Sequence, residues 1–163
     1  MAAANPNLLG AGSIGRVEKV PFNGGFAARK LFDEVEYFKH EKNIFQGLQR
    51  FPHNNIVKLL GVGSKFLDLE FVSGGTLGDS VRIQHRYSTF TSDDVKTILV
   101  GCLEALSHLH RALGREHFDV KPENILLTET KQPKLCDFSH AQSSLCAHPP
   151  GHLRVHAVGA LPR

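Results

Sequence analysis

Four polar residues, Asp119, Lys121, Asn124 and Asp137, fall within a span of nineteen residues in a chain of 163. Their types suit phosphoryl transfer. An aspartate can orient a substrate hydroxyl, a lysine can offset phosphate charge, and an asparagine with a second aspartate can hold Mg²⁺. They lie in two runs, His-Phe-Asp-Val-Lys-Pro-Glu-Asn-Ile-Leu-Leu over 117–127 and Lys-Leu-Cys-Asp-Phe over 134–138. Ile125-Leu126-Leu127 and Leu135-Cys136 read as two short strands that would fix the polar groups on a rigid hairpin. A charged loop with a cap-forming asparagine has the same composition, so the surrounding elements must decide between the two.

Upstream, Gly10-x-Gly12-x-x-Gly15-x-Val17 is a glycine-rich turn in which backbone N–H groups could approach phosphates unobstructed. Dinucleotide folds use a similar spacing but need a helix opening at the third glycine, whereas 16–21 reads as a strand returning from the turn. An ordinary glycine-rich turn is the alternative. After the turn signal Asn23-Gly24-Gly25, residues 26–32 read as a third strand. Over 33–48, Val35, Phe38, Phe45 and Leu48 recur at helical intervals behind an acidic first turn. Residues 56–62 and 66–72 read as a further hairpin, giving five strands and one helix. Ser73-Gly74-Gly75 marks a hinge. Thr91-Ser92-Asp93-Asp94 then supplies a cap for a helix whose expected buried face is Val95, Ile98, Leu99, Cys102, Leu106 and Leu109, ending at Gly114. Residues 139–163 hold no acid, four histidines and three prolines, and read as loop or disorder.

Taken in this order, the segments resemble the catalytic domain of eukaryotic protein kinases. The resemblance covers residues 8 to about 139. It implies an α+β fold, with a small five-stranded antiparallel lobe and one helix over 1–72, and a hinge and incomplete helical lobe over 73–139. An irregular tail over 140–163 lies outside the pattern. It implies ATP and Mg²⁺ as cofactors, with Gly10, Gly12, Gly15 and Val17 forming the nucleotide loop. Lys30, in Ala-Ala-Arg-Lys, is similar to the phosphate-binding lysine of strand three. Glu41 is its expected partner, with Glu34 and Glu36 as competitors nearer the helix start. His53-Asn-Asn-Ile-Val-Lys-Leu-Leu-Gly-Val62 is similar to the segment that follows that helix, and its role is structural. Leu69-Glu70-Phe71-Val72 is similar to the hinge that bonds an adenine ring through its backbone, with Leu69 guarding the back pocket and Glu70 and Val72 at the contact positions. Asp119 would orient the acceptor hydroxyl, Lys121 offset charge on the transferring group, and Asn124 and Asp137 hold the metal. The Asp-x-Lys-Pro-Glu-Asn form resembles serine/threonine-directed members. The protein substrate is not legible.

The chain also departs from the pattern. Phe118 stands where arginine is usual, which removes the ordinary partner of a phosphorylated activation loop. Ser139 replaces the glycine of Asp-Phe-Gly, so the backbone there should be more restricted. The loop between Val62 and Leu67 is short. No Ala-Pro-Glu element follows, which suggests a truncated form, a gene fragment or an altered reading frame, with part of the 91–110 helix face left uncovered. The competing expectations are a non-catalytic nucleotide- or partner-binding module, and a fragment unable to fold alone.

Composition supports a globular domain: 41% hydrophobic and 21% charged residues are inconsistent with disorder. A net charge of +3 without a dense basic patch argues against nucleic-acid binding. No apolar run approaches the roughly 20 residues needed to cross a bilayer, and the start lacks signal-peptide character. A cytoplasmic location is expected, with the nucleus as the alternative. Cys102, Cys136 and Cys146 are odd in number and lack metal spacing, and Cys102 and Cys136 sit inside apolar segments, which suggests that these two are buried free thiols. His148, His152 and His156 could share a helical face and bind Zn²⁺, but Pro149, Pro150 and Gly151 oppose a helix there.

Overall fold

The computed structural model describes residues 6–84 and 90–144. Cys146 and the three tail histidines considered for zinc lie outside the described residues, as does most of the 140–163 segment. Strands β1 (Leu8–Gly12), β2 (Gly15–Phe22), β3 (Gly25–Phe32), β4 (Leu59–Val62) and β5 (Phe66–Glu70) form one antiparallel sheet in the order β1-β2-β3-β5-β4. The β2–β3 connection is a two-residue turn with Asn23 and Gly24 both at positive φ, the geometry that matches strand twist. Helix α1 (Val35–Arg50) crosses between β3 and β4 and buries Phe38, Glu41, Ile44, Phe45 and Leu48. Val35, expected on that face, is exposed, because it opens the first turn.

Strand β4 starts three residues later than the pattern suggests. Ile56 and Val57 leave the sheet to pair with Leu135 instead, Ile56 through a parallel bridge and Val57 N–H through a 3.1 Å bond to the Leu135 carbonyl. This ties the sheet-bearing part of the chain to the hairpin of β7 (Ile125–Leu127) and β8 (Pro133–Leu135). One apolar core runs through both parts, from Phe32, Phe38 and Phe45 to Leu109, Leu135 and Phe138.

The hinge is followed by helix α2 (Leu77–Gln84), which the sequence pattern left unassigned. Thr76 opens it, its hydroxyl accepting the Asp79 N–H at 2.9 Å. Gly74 is required by packing, since a Cβ there would overlap the carbonyl oxygen of Leu127. Helix α3 (Ser92–Leu113) begins in a full capping box between Thr91 and Asp94 and ends at Gly114 in the left-handed region.

The buried face of α3 differs from the expected one. Ile98, Gly101, Cys102, Ala105 and Leu109 face inward, while Val95 and Leu99 are about half exposed and Leu103 is more so. The cause is the β7–β8 hairpin, which lies so close that a Cβ on Gly101 would come within 2.6 Å of the Pro133 ring. Small residues at 101 and 105 admit that approach, and the helix turns to present them. Beyond Phe138, β9 (Gln142–Ser143) pairs with β6 (Arg115–Glu116), so two residues of the segment read as irregular are ordered by a strand just after α3. Among the described residues no helix is long and apolar enough to cross a membrane.

Candidate functional site

Lys30 sits in the middle of β3, paired with Val17 on one side and Leu67 on the other. Its ammonium lies 2.6 Å from Glu41 Oε2, 2.9 Å from Asp137 Oδ1 and 2.9 Å from Ser139 Oγ. Of the three candidate carboxylates on or beside α1, Glu41 is the one at the right depth. Glu36 is exposed and pairs with Lys39, and Glu34 stands at the N-cap. Glu41 is fully buried and also accepts the Phe138 N–H at 3.3 Å and the Ser139 hydroxyl at 2.8 Å. Burial alone would depress the Lys30 pKa, but the Glu41 and Asp137 carboxylates outweigh it and hold the ammonium above its ordinary value. Burial likewise works to raise Asp137, yet Lys30 and the Ser139 hydrogen bond bring it down to about 2. Both groups are therefore charged throughout the physiological range.

The second cluster is built on the turn Pro122–Asn124 and the residues before it. Asp119 Oδ2 accepts from Lys121 Nζ at 2.6 Å and from Asn124 Nδ2 at 2.9 Å. The Lys121 bond, aided by Asn124 against the opposing effect of burial, holds Asp119 below the usual carboxylate range. It is thus an ionised acceptor, suited to orienting a hydroxyl. Asn124 Nδ2 also donates to the Asp119 carbonyl at 2.9 Å. Because both its partners are acceptors, the amide nitrogen must face them, which leaves the amide oxygen as the group offered elsewhere.

A residue without an assigned role in the sequence joins the two clusters. Buried His117 donates from Nε2 to the Cys136 carbonyl at 3.0 Å and accepts the Asp119 N–H on Nδ1 at 3.3 Å. Burial depresses its pKa, consistent with a neutral ring holding a single tautomer. The segment carrying Asp119 is thereby bolted to the segment carrying Asp137. Cys136 reinforces the joint, its N–H meeting the Asn124 carbonyl at 3.0 Å. Cys136 is a free thiol whose pKa is pushed up to about 12, chiefly by burial and then by Asp137. Phe138 packs edge-on to Phe45, with ring centres 5.2 Å apart, and at the same distance from His117. Phe118 and Asp137 both have positive φ, so this joint is held in an uncommon backbone conformation.

The glycines of the first turn divide into two kinds. At Gly15 an added Cβ would overlap the Leu31 carbonyl oxygen, so the fold itself demands glycine. At Gly10 and Gly12 nothing lies within 4 Å of an added Cβ. Packing does not explain those two. Val17 lies on β2 beside Lys30. Glu70 closes β5, its N–H bonded to the Lys58 carbonyl and its side chain paired with Lys134, while Val72 is buried just beyond. Two surface cavities lie elsewhere: one of about 450 Å³ between α3 and Gln132, and one of about 180 Å³ beside the end of α1.

Such a sheet, a buried lysine–glutamate pair reaching from strand to helix, and an Asp-Lys-Asn turn bolted to a second aspartate are the arrangement expected of a protein kinase domain. The protein kinase domain family matches residues 4–149, and the chain belongs to that family. The match runs past residue 139, where the motif resemblance fades, and takes in β9. The chain is 36% identical over 155 residues to ribosomal protein S6 kinase alpha-3 of Mus musculus, covering 85% of this chain and 20% of that protein. It is 30% identical over 142 residues to 3-phosphoinositide-dependent protein kinase 1 of Arabidopsis thaliana, covering 80% and 28%. It is 29% identical over 149 residues to calmodulin-binding receptor-like cytoplasmic kinase 3 of the same plant, covering 85% and 29%. The chain therefore spans well under half the length of these relatives.

Proposed function

We propose that this chain carries the nucleotide-binding and phosphoryl-transfer centre of a protein serine/threonine kinase, acting in the cytoplasm. The observation that supports it best is the convergence of two ion-pair clusters, Lys30–Glu41–Asp137 and Asp119–Lys121–Asn124, through His117. Gly10 and Gly12 leave open space above the sheet in which phosphate oxygens could meet backbone N–H groups. Lys30, oriented by Glu41, binds phosphate charge in a site where burial strengthens the interaction. The backbone at Glu70 and Val72 would bond the adenine ring, and Val17 would cover it.

Asp119 accepts the proton-bearing side of a serine or threonine hydroxyl and aims its oxygen at the γ-phosphorus. Lys121 offsets charge that develops on the transferring group. The donor set fits Mg²⁺. All bonds described at the Asp137 carboxylate fall on Oδ1, leaving Oδ2 as an oxygen for a hard cation. The Asn124 amide oxygen is the second such ligand. When bound, Mg²⁺ offsets the charge of the nucleotide phosphates.

The test is phosphate transfer from ATP to a generic protein substrate by the 163-residue chain and its Asp119→Ala variant. Transfer that falls by about 10²-fold or more in the variant supports the enzyme. A second reading, a nucleotide-binding module without transfer, is favoured by Phe118 in the arginine position and by the half-exposed apolar face of α3. Nucleotide binding with no transfer by either protein would select it.

A further inference from the structure

The Lys30 ammonium has three N–H groups, and all three are met by acceptors of the chain itself. Two of these acceptors are the carboxylates of Glu41 and Asp137, and the third is the Ser139 hydroxyl at 2.9 Å. Ser139 is buried and stands where the family motif has glycine. Its single proton has two acceptors within reach, Glu41 Oε2 at 2.8 Å and Asp137 Oδ1 at 2.6 Å. It donates to one of them at a time and receives the Lys30 N–H on a lone pair. A glycine could complete no such ring.

We infer that Ser139 Oγ is a stand-in for a phosphate oxygen on Lys30. It acts as a positioning residue that saturates the ammonium while the cleft is empty and must release it when nucleotide arrives. The inference rests on the nucleotide-binding reading of the Lys30 site. Of the three acceptors, the hydroxyl is the one to yield, because it is neutral while the other two are charged. Once Lys30 turns to phosphate, Ser139 keeps its bond to Glu41 or Asp137, so no buried group is orphaned. The exchange runs toward the stronger, charge-assisted bond, but nucleotide affinity is lowered by the bond that is given up.

This role has a signature that a purely structural serine lacks. A structural hydroxyl, once removed, weakens folding and binding together. The stand-in, once removed, weakens folding of the free protein and tightens nucleotide binding. The experiment titrates the full chain and its Ser139→Ala and Ser139→Gly variants with ATP, in EDTA and with Mg²⁺, alongside urea unfolding without nucleotide. Ser139→Ala should unfold at lower urea yet bind ATP about three- to tenfold more tightly in EDTA, where Lys30 carries phosphate charge without metal. Ser139→Gly should shift affinity the same way, and it carries the comparison if Ser139→Ala gives no cooperative transition. Wild type that binds ATP, with variants that bind equally or more weakly, overturns the inference and leaves the nucleotide site standing. Wild type that binds no ATP overturns both.

Discussion

Lys30 Nζ and Glu41 Oε2 meet at 2.6 Å where neither side chain has appreciable contact with water. The pair spans from the central strand to the helix packed beneath it, and it positions both. Removing one member strands the other. Lys30→Met should therefore cost about 3–5 kcal/mol in urea unfolding, because Glu41 is left as an uncompensated buried charge. A loss below about 1 kcal/mol would mean that the Ser139 hydroxyl and the Phe138 N–H satisfy Glu41 without the ammonium.

Gly10 and Gly12 offer a separation of folding from function. With open space at both positions, Gly10→Ala and Gly12→Ala should leave the unfolding midpoint unchanged or slightly raised. Both should weaken ATP binding several-fold, as the added methyl groups crowd the phosphate approach. Gly15→Ala should behave oppositely and lose about 2–3 kcal/mol of stability through its overlap with Leu31. Calorimetric titration and thermal unfolding of the three variants would check this.

Asp137 predicts a pH dependence. Its folded-state pKa, about 2, lies below the ordinary aspartate value of 3.8. The unfolded chain therefore binds the proton more readily, and the contribution is full above about pH 4 and drains away as the pH falls toward 2. Roughly 2 kcal/mol should be lost across that window, and Asp137→Asn should flatten this part of the curve. Urea unfolding at a series of acid pH values would measure it.

Phe138 tests the joint between the two clusters. Its ring is fully buried between Phe45 and His117, so Phe138→Ala should destabilise the chain by about 3–5 kcal/mol. Phe138→Leu should recover most of that loss. Equal losses in both would indicate that ring geometry, beyond apolar volume, holds Asp137 in place.

What was legible in the sequence was set by local chemistry. The Asn23-Gly24 turn, the Thr91 cap and the β7–β8 hairpin each depend on a few adjacent residues, and each forms close to where the pattern places it, although the hairpin's second strand runs over Pro133–Leu135 and leaves out Cys136. The spacing of Lys30 and Glu41 likewise follows from one strand leading into one helix. Other features depend on contacts between distant segments. The tilt of α3 toward Gly101 and Ala105 is imposed by Pro133, more than twenty residues on, and no helical period reveals it. Ile56 and Val57 leave their strand for Leu135, some eighty residues away. Ser139 was visible as a missing glycine, but its bond to Glu41 crosses 98 positions and appears only once the core has closed. Helix α2 did carry a signal, Thr76 three residues before Asp79, which the neighbouring glycines obscured.

The central claim, that the Lys30 cleft binds nucleotide, is tested most directly by thermal unfolding of the 163-residue chain in increasing ATP with Mg²⁺. A ligand that binds the folded form must stabilise it, by about 2.7 kcal/mol at a hundred times its Kd. A midpoint that climbs with ATP, and climbs less in the Gly12→Ala variant at the same concentrations, is the predicted result. A cooperative transition whose midpoint is indifferent to millimolar ATP would contradict the account.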